Sequence, residues 1–365
     1  MINHMVVRNV LHRPVRTSLS ILAIAVEVTM ILLIVGVAEG LLEDSQRRTR
    51  GVGADILIRP STSSAAMNLS TADIPEKLVA KLSAKFPEIE VATGTTVMMQ
   101  GDLQTITGVD WERFLEMAEG IRYFGGGPME TPYDAIVDEV YSRHKKVQVG
   151  DRIRLLNHDF RVAGIVESGK MSRVFIRLAT MQDLMGWRDK ISQVYLKLRD
   201  PKQTYRVIDS IKQLLPSYPV YAMEDLLTQA AADVRAMSAQ FVNIIIGIAV
   251  IIGFIVVLLS MYTAVLERTR EIGILKSLGA SKSYITNLIF REVLVVCSLG
   301  ILVGFGLSLL AKWVVEAQSP LVSVAIQPSW LVGGAVIAAV GSLLGAFYPA
   351  TKAARQDPIS ALAYD

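Results

Sequence analysis

The residue types that most often carry catalysis or bind metals are few in this sequence of 365 residues, and they are scattered along it. The four histidines are not spaced as H-x-x-x-H or H-E-x-x-H, the patterns that place two zinc ligands on one helix face. The single cysteine, Cys297, lies in an apolar run and can form no internal disulfide. No G-x-S-x-G elbow of a serine hydrolase occurs. We therefore expect no catalytic residue, cofactor site or metal site in this chain.

One stretch comes close to a phosphate-binding loop. Residues 164–171 fit the spacing G-x-x-x-x-G-K-[ST] up to Lys170, but Met171 stands where the pattern needs a magnesium-binding hydroxyl. The stretch also lies between two strand-like runs, so the helix N-terminus that would hold a phosphate is missing. We interpret it as a hairpin turn, and the three glycines at 125–127 as a flexible turn.

Glu27 is an ionisable residue near the middle of an otherwise apolar run. A charged group at membrane depth is costly, which makes Glu27 a candidate substrate-path residue that meets a cationic or metal-containing substrate. Alternatively, Glu27 is protonated and hydrogen-bonded between helices, or it lies nearer to water than the apolar run suggests. The sequence leaves these alternatives open.

Residues 267–281 combine both charge signs with an apolar helical face. Ile272, Leu275 and Leu278 recur at helical spacing, and Gly279 supplies a helix stop. One interpretation is a helix that lies at the membrane surface. In the other, the apolar residues enter a groove on a cytoplasmic partner while the charges determine the register, and Ile272 and Leu275 are then the contact anchors.

The composition indicates that much of the chain lies in a lipid bilayer. Hydrophobic residues make up 52% and charged residues 19%, and the net charge of +3 favours no nucleic-acid partner. A spanning helix needs about 20 apolar residues, and four segments meet this requirement, at 17–40, 237–266, 292–312 and 329–350. A cleaved signal peptide is the alternative for the first segment. Its apolar run is longer than the stretch of about 7 to 15 residues that is usual in such peptides.

Lysines and arginines near the ends of these segments predict the orientation. They precede the first segment, fill residues 267–291 and follow the fourth segment, so these regions are expected in the cytoplasm. Residues 1–16 are then a cytoplasmic interfacial helix, residues 351–365 a cytoplasmic tail, and residues 313–328 a short extracytoplasmic loop. The protein is predicted to be a multi-pass protein of the cytoplasmic (inner) membrane, surrounded by lipid, with both termini cytoplasmic.

Residues 41–236 have the composition of a folded α+β domain on the extracytoplasmic side. Short strand-like runs, such as 174–177 and 193–198, are concentrated in residues 133–200, which predicts a β-rich insertion into a discontinuous first block. Neither Pro nor Gly occurs from Met223 up to Gly247, so the second membrane helix is expected to begin well above the membrane. The predicted fold class is a membrane α-helical protein of four transmembrane helices, with a large α+β domain between the first and second helices.

Residues 267–281 resemble the coupling-helix signature of the FtsX-like, MacB-type permeases of ABC transporters, E-R-x-x-E-I-G-x-[LM]-[RK]-A-x-G-A-[ST], with Ser277 at the usual Ala position. Further likeness lies in residues 8–19, 147–165 and 348–358, so the resemblance covers essentially the whole chain. The resemblance implies a role in ATPase coupling for the following residues: Glu267, Arg268, Arg270, Glu271, Ile272, Gly273, Leu275, Lys276, Leu278, Gly279, Ala280 and Ser281.

The same resemblance implies a permease that works as a homodimer or heterodimer, with one ABC ATPase docked on each coupling helix. MacB carries its ATPase ahead of its first span and this sequence does not, so the ATPase, with its ATP and Mg²⁺, is expected on a separate polypeptide. This chain is then not itself an enzyme. Closure of the ATPases would be transmitted mechanically and would export or extract an amphiphilic substrate, such as a drug, lipid, lipoprotein or peptide, from the outer side of the membrane.

Two questions about partners and function stay open in the sequence. A periplasmic adaptor and an outer-membrane channel are further partners that this family allows. The alternative function is an FtsX-type signalling subunit that regulates a cell-wall hydrolase without transport, although the size of the β-rich insertion favours the transporter. A receptor or membrane enzyme would need a cytoplasmic output domain or a catalytic site, and the sequence shows neither.

Overall fold

The structure is a computed structural model that describes residues 14–60, 72–100 and 104–357. The chain forms two compact units, one of residues up to 40, 238–318 and 324 onward, and the other of residues 41–237 and 319–323. The interfacial helix predicted for residues 1–16 lies, up to residue 13, outside the described residues.

The described residues form ten helices and twelve strands. A 3₁₀ turn, Pro201–Gln203, precedes the sixth helix. In chain order the elements are α1 (Pro14–Arg50), β1 (Ile56–Ile58), β2 (Ile74–Pro75), α2 (Lys77–Lys85), β3 (Ile89–Gln100), β4 (Gln104–Val109), α3 (Trp111–Met117), β5 (Tyr123–Gly126), β6 (Asp134–Asp138), α4 (Glu139–Lys145), β7 (Arg152–Leu155), β8 (His158–Val166), β9 (Val174–Arg177), α5 (Leu178–Met185), β10 (Lys190–Ile191), β11 (Gln193–Leu198), α6 (Thr204–Leu214), β12 (Val220–Ala222), α7 (Met223–Glu267), α8 (Thr269–Ser277), α9 (Lys282–Gln318) and α10 (Pro328–Arg355).

Helices α1, α7, α9 and α10 are each long and apolar enough to cross a membrane. They and the α+β domain between the first two confirm the predicted fold class. All four helices extend beyond the apolar segments of the sequence. Helix α9 in particular begins at Lys282, so the second half of the predicted loop 267–291 is helical. Hydropathy marks only the apolar part of a helix, whereas backbone hydrogen bonding continues into the polar residues that flank it.

Small residues bring the long helices close together within the helical unit. A Cβ atom on Gly304 of α9 would lie 2.9 Å from the carbonyl oxygen of Ala25, and one on Gly345 of α10 would lie 2.7 Å from the carbonyl oxygen of Phe254. Ile24, Val28, Val257 and other apolar side chains fill the core of the unit. Close backbone approach at small residues is the usual way in which helices pack in a membrane.

The α+β unit is built on one sheet of ten strands. Nine strands follow the order β12-β1-β11-β3-β4-β9-β6-β8-β5, and β7 pairs with β8 beside this path. The pairing of β4 with β9 is parallel and joins the first block of the domain to the strands of residues 133–200. Residues 133–200, predicted as a β-rich insertion, contain the strands β6, β7, β8, β9 and β11 of this same sheet. Within that range, β11 hydrogen-bonds to β1 and β3 in the middle of the first block.

The sheet carries helices on both faces. Along β1, Ile56 and Ile58 belong to one buried cluster, with side chains of α2 and α6, whereas Leu57 belongs to a second cluster that contains Trp111 and Phe114 of α3. This alternation follows from the strand geometry, because successive side chains point to opposite faces. A third cluster covers the end of the sheet around Phe160.

Two turns that were predicted from glycine spacing are different in the structure. Residues 167–173 do not form a hairpin, because β6 lies between β8 and β9 and pairs with both of them. Gly125 and Gly126 do not form a flexible turn but belong to the strand β5. Gly126 has a φ of +72°, and a Cβ atom there would lie 2.0 Å from the carbonyl oxygen of Ala163. Glycine is required at this position by close packing and by the left-handed backbone.

Candidate functional site

Residues 267–281 form the connection between α7 and α9, and most of this connection is the helix α8. Arg268 is the one residue between α7 and α8, with φ −110° and ψ 15°. The hydroxyl of Thr269 donates to the carbonyl oxygens of Val265 at 3.2 Å and Leu266 at 2.8 Å. These bonds satisfy carbonyl groups that the end of α7 leaves without helical partners.

Helix α8 ends in a pair of backbone hydrogen bonds that need a glycine. Gly279 has a φ of +95°, its N–H donates to Lys276, and the N–H of Ala280 donates to Leu275, both at 3.0 Å. This is the Schellman arrangement, in which a left-handed residue closes the helix. The hydroxyl of Ser281 then accepts from the N–H of Tyr284 at 3.2 Å and caps the start of α9. The helix stop predicted at Gly279 is confirmed.

The apolar residues of α8 are divided between two environments. Ile272 is only 8% exposed, and Leu275 is half-buried beside it. Both belong to a cluster with Val265 of α7, Ile285 and Ile289 of α9, and Ala350, Ala353 and Ala354 of α10. The interpretation of Ile272 and Leu275 as anchors for a partner is therefore not supported, because these side chains pack against helices of their own chain. Among the apolar residues of the segment, Leu278 is 81% exposed and Ile274 is 45% exposed.

The charged residues at the junction of α7 and α8 contact one buried carboxylate. Glu292 of α9 is 5% exposed. Arg268 donates to both of its oxygens, at 3.2 and 3.0 Å, and Arg16 of α1 lies 3.8 Å away. Arg16 also donates to Glu267 at 3.1 Å. Sequence reasoning missed Glu292, which served only as the boundary of an uncharged run. No local pattern in the sequence marks it as buried, because its burial depends on the packing of α9 against Arg268 and Arg16.

Lys276 faces the end of α10. Its ammonium group donates to the carbonyl oxygen of Ala354 at 3.0 Å and to that of Gln356. A cation in this position compensates the carbonyl groups that a helix C-terminus leaves without partners. Lys276 therefore makes contacts within its own chain. Gly273 and Ala280 do the same, because Gly273 is buried and Ala280 packs in the same cluster as Leu275.

The residues of α8 that remain on the surface share one side of the helix and its end. They combine a cation, an anion, a hydroxyl and two apolar side chains. We define them as the exposed face of α8: Arg270, Glu271, Ile274, Ser277 and Leu278. Ile274 was not singled out from the sequence, because the apolar spacing of the segment drew attention to Ile272, Leu275 and Leu278 instead.

Glu27 lies inside the helical unit rather than on its surface. It is 5% exposed, and its Oε1 has no hydrogen-bond partner among the described residues. A Cβ atom on Gly253 of α7 would lie 1.9 Å from Oε2 of Glu27. The carboxylate thus occupies the space that any side chain at position 253 would need. The sequence did not connect these two residues, because they lie on different helices.

A second group of charged residues lies in the α+β unit, near the Arg50 end of α1. Asp44 accepts from Arg48 at 2.6 Å and from Arg173 at 2.8 Å, and Arg173 also reaches Asp138 at 3.5 Å. Asp138 is 1% exposed and accepts from the N–H of Tyr141 at 2.6 Å. Burial raises the pKa of Asp138 to about 6, although the hydrogen bond from Tyr141 and the two arginines act in the opposite direction.

Histidine, cysteine, aspartate and glutamate side chains are the groups of this chain that could hold a metal ion. Within residues 14–60, 72–100 and 104–357, no group of three or more such side chains could hold a metal ion. Neither Glu27 nor Glu292 belongs to such a group.

Two families match the sequence, and together they cover most of it. Residues 17–214 match the MacB-like periplasmic core domain, and residues 243–358 match the FtsX-like permease C-terminal domain. The chain is 28% identical over 335 residues to the macrolide export ATP-binding/permease protein MacB of Photorhabdus laumondii subsp. laumondii, an alignment of 85% of this chain and 51% of that protein. It is 27% identical over 233 residues to the protein of the same name from Escherichia coli (strain K12), an alignment of 60% of this chain and 36% of that protein.

This chain therefore spans about half the length, or less, of the curated relatives that it matches. Among solved structures, it is similar to the periplasmic region of MacB from Actinobacillus actinomycetemcomitans, with 15% identity and a TM-score of 0.38. That alignment covers 49% of this chain and 94% of the other.

Proposed function

We propose, from the premise that this chain belongs to the family of FtsX-like permeases with a MacB-like periplasmic core domain, that it is the permease subunit of an ABC transporter. It works as a dimer with separate ATPase subunits. It exports or extracts an amphiphilic substrate, such as a drug, lipid, lipoprotein or peptide, from the outer side of the cytoplasmic membrane. The observation that carries this proposal is the exposed face of α8.

The exposed face of α8 has the chemistry of a docking surface. Leu278 is 81% exposed and Ile274 is 45% exposed, on a helix that lies between two membrane helices. Exposed apolar side chains beside charges of both signs suit a groove on a protein partner, where burial supplies affinity and charges supply specificity. In this proposal the partner is the ATPase, the face is cytoplasmic, and both chain termini lie on the same side.

The buried side of α8 suits the transmission of force. Ile272 packs among α7, α9 and α10, and Lys276 holds the end of α10. A displacement of α8 by ATP-driven closure of the ATPases would therefore act on three membrane helices together. Helices α1 and α7 both also contribute to the α+β unit. Helix α1 contributes residues 41–50 and helix α7 contributes residues 223–237. We propose that these two helices carry the motion to the domain that engages the substrate.

Glu27 is the candidate residue of the substrate path. Its buried carboxylate has an Oε1 without a hydrogen-bond partner among the described residues, and such a group can accept a hydrogen bond from a cationic substrate. Replacing Glu27 with Gln keeps the shape and removes the charge, so we expect reduced transport of cationic substrates. Unchanged transport would leave Glu27 with a role in helix packing alone.

The proposal is tested by purifying the tagged chain gently from its native membranes and identifying the proteins that accompany it by mass spectrometry. A stoichiometric ABC ATPase supports the proposal, and a periplasmic adaptor or outer-membrane channel would add efflux across the envelope. An ATPase together with a cell-wall hydrolase would favour the FtsX-type signalling function instead. Repeated absence of any ATPase under nucleotide-trapping conditions would contradict both functions.

Variants of the exposed face make the test specific. Leu278→Asp should abolish recovery of the ATPase, whereas Val15→Asp, a matched change at an exposed position at the start of α1, should not. Glu271→Gln and Gly279→Ala should uncouple ATP hydrolysis from transport. The alanine also has to adopt the left-handed backbone of Gly279, at a cost of about 1 kcal/mol. Unchanged coupling in both variants would exclude the exposed face as the docking site.

A further inference from the structure

Arg16 and Glu267 lie at helix ends that are unfavourable for their charges. Arg16 is in the first turn of α1, and Glu267 is the last residue of α7. The helix dipole disfavours a cation at an N-terminus and an anion at a C-terminus. Neither residue therefore stabilises its own helix, but each compensates the other through a hydrogen bond of 3.1 Å. Their placement joins α1 to α7, and it also puts Glu267 beside the N-terminus of α8, where the helix dipole favours an anion.

Glu292 extends this contact to the start of α8. A buried carboxylate is costly unless cations and hydrogen bonds surround it. Arg268 supplies two hydrogen bonds, at 3.0 and 3.2 Å, and Arg16 approaches to 3.8 Å. Because Arg268 is the joint between α7 and α8, its guanidinium group moves when α8 tilts. Glu292 thus lies between a cation that belongs to the joint of α8 and a cation that belongs to α1.

Arg16 is shared unequally between two carboxylates. It is hydrogen-bonded to Glu267 and is only an ion-pair neighbour of Glu292. A small shift of the joint would change which of the two carboxylates Arg16 contacts, because both lie within 4 Å of its guanidinium group. Buried ion pairs often add little net stability over apolar packing, so the stability of the fold does not by itself account for this arrangement.

We propose that Arg16, Glu292 and Arg268 form a positioning relay, in which a movement of α8 changes the partners of Arg16 and so repositions α1. The relay rests on the proposed function, because it requires an ATPase that moves α8. None of its members touches substrate or nucleotide. The relay gives α1 a direct connection to the docking helix, in addition to the apolar core that it shares with the other long helices.

The relay is tested in the complete complex of permease and ATPase in lipid nanodiscs. Nitroxide labels are attached at Leu19 of α1 and Phe347 of α10, which are both exposed, in a Cys297→Ala background. The distance between the labels is measured by pulsed electron paramagnetic resonance, first without nucleotide and then after trapping with ATP and vanadate. The variant is Arg16→Gln. The control is Lys282→Gln, which removes one cation from an exposed position at the start of α9.

We expect Arg16→Gln to keep the co-purified ATPase, its rate of hydrolysis and the melting temperature of the complex. The population at the nucleotide-dependent distance should fall about fivefold, the lower range of a typical coupling between two sites, and Arg16→Lys should restore part of it. Glu292→Gln should have the same effect, provided that its melting temperature is unchanged.

The relay and the proposed function fail in different ways. If Arg16→Gln and Lys282→Gln give the same nucleotide-dependent distance as the wild type, the relay is overturned while the transporter stands. If Arg16→Gln instead lowers the melting temperature and loses the ATPase, its role is structural and the relay is equally overturned. A wild-type complex without an ATPase would contradict the proposed function, and the relay with it.

Discussion

The two ends of α1 are held by different kinds of contact. Near Pro14, two contacts of α1 with α7 are between side chains, one from Arg16 to Glu267 and one at Ser20, whose hydroxyl lies 2.5 Å from that of Ser260. Near Arg50, the backbone itself is held, because the N–H of Met171 donates to the carbonyl oxygen of Arg48 at 2.9 Å. Side-chain ion pairs can exchange partners through rotation, whereas backbone contacts cannot. The difference indicates a joint at the first end and a fixed attachment at the second.

The largest effect is expected from Gly51→Ala, which attacks the fixed attachment. A Cβ atom on Gly51 would lie 1.8 Å from the carbonyl oxygen of Gly169, so one of the two backbones has to move. We expect the α+β unit to lose about 3 kcal/mol or more, measured by hydrogen exchange of the β8 and β9 amides in the full chain. Gly127→Ala is the matched control, because a Cβ there has no atom within 4 Å. Equal exchange in the two variants would contradict the fixed attachment.

A slightly smaller effect is expected from Arg173→Met in the same attachment. The change leaves Asp44 with Arg48 alone and removes one cation from Asp138. Removal of one partner from a buried charge network costs about 3 kcal/mol, less here if Asp138 takes up a proton. Urea unfolding in detergent should show the loss. Arg113→Met removes a guanidinium group from an exposed pair with Asp110 and should leave the midpoint unchanged.

The attachment should also depend on pH through Asp138, whose pKa is raised from 3.8 to about 6. Below pH 4 the carboxyl group is protonated in both the folded and the unfolded chain. Between pH 4 and 6 the unfolded chain loses this proton first, so the folded state loses stability as the pH rises. We expect a loss of about 2 kcal/mol over this window, measured as the difference from Asp138→Asn. A difference that is constant with pH would contradict the raised pKa of Asp138.

The smallest effect on stability is expected at the joint. In Arg16→Gln, Arg268 still donates two hydrogen bonds to Glu292, so the free energy of unfolding should change by about 1 kcal/mol at most. Thermal unfolding of the full chain in detergent measures it. A loss as large as that of Arg173→Met would mean that both ends of α1 are fixed attachments, which would remove the contrast between them.

Local patterns in the sequence predicted local structure well. The strands at 174–177 and 193–198 are found at the predicted bounds, and Gly279 ends α8 as expected. Each of these features depends on neighbouring residues and on the alternation or the turn chemistry that they encode. The four membrane helices are also predicted from local sequence, because an apolar run of about 20 residues is enough to indicate a helix that spans the bilayer.

The contacts between distant segments could not be predicted. The exposed side of α8 depends on where α9 and α10 lie, so periodicity alone identified Ile272 as apolar but not as buried. The pairing of Glu27 with Gly253 and that of Arg268 with Glu292 join different helices. A single sequence gives the charge and the size of each residue. Which residues on other helices they contact depends on the tertiary packing, which the local pattern does not determine.

The order of strands in the sheet has a consequence for the making of the protein. Strand β1 hydrogen-bonds to β11 and β12 and has no earlier strand beside it. During synthesis, the backbone N–H and C=O groups of β1 therefore cannot form their sheet hydrogen bonds until β11 and β12, which ends at Ala222, have been made. Such distant pairings are slow to form and leave apolar strands open to aggregation in the meantime. The nascent chain of this domain is thus expected to depend on a chaperone until its last strand has arrived.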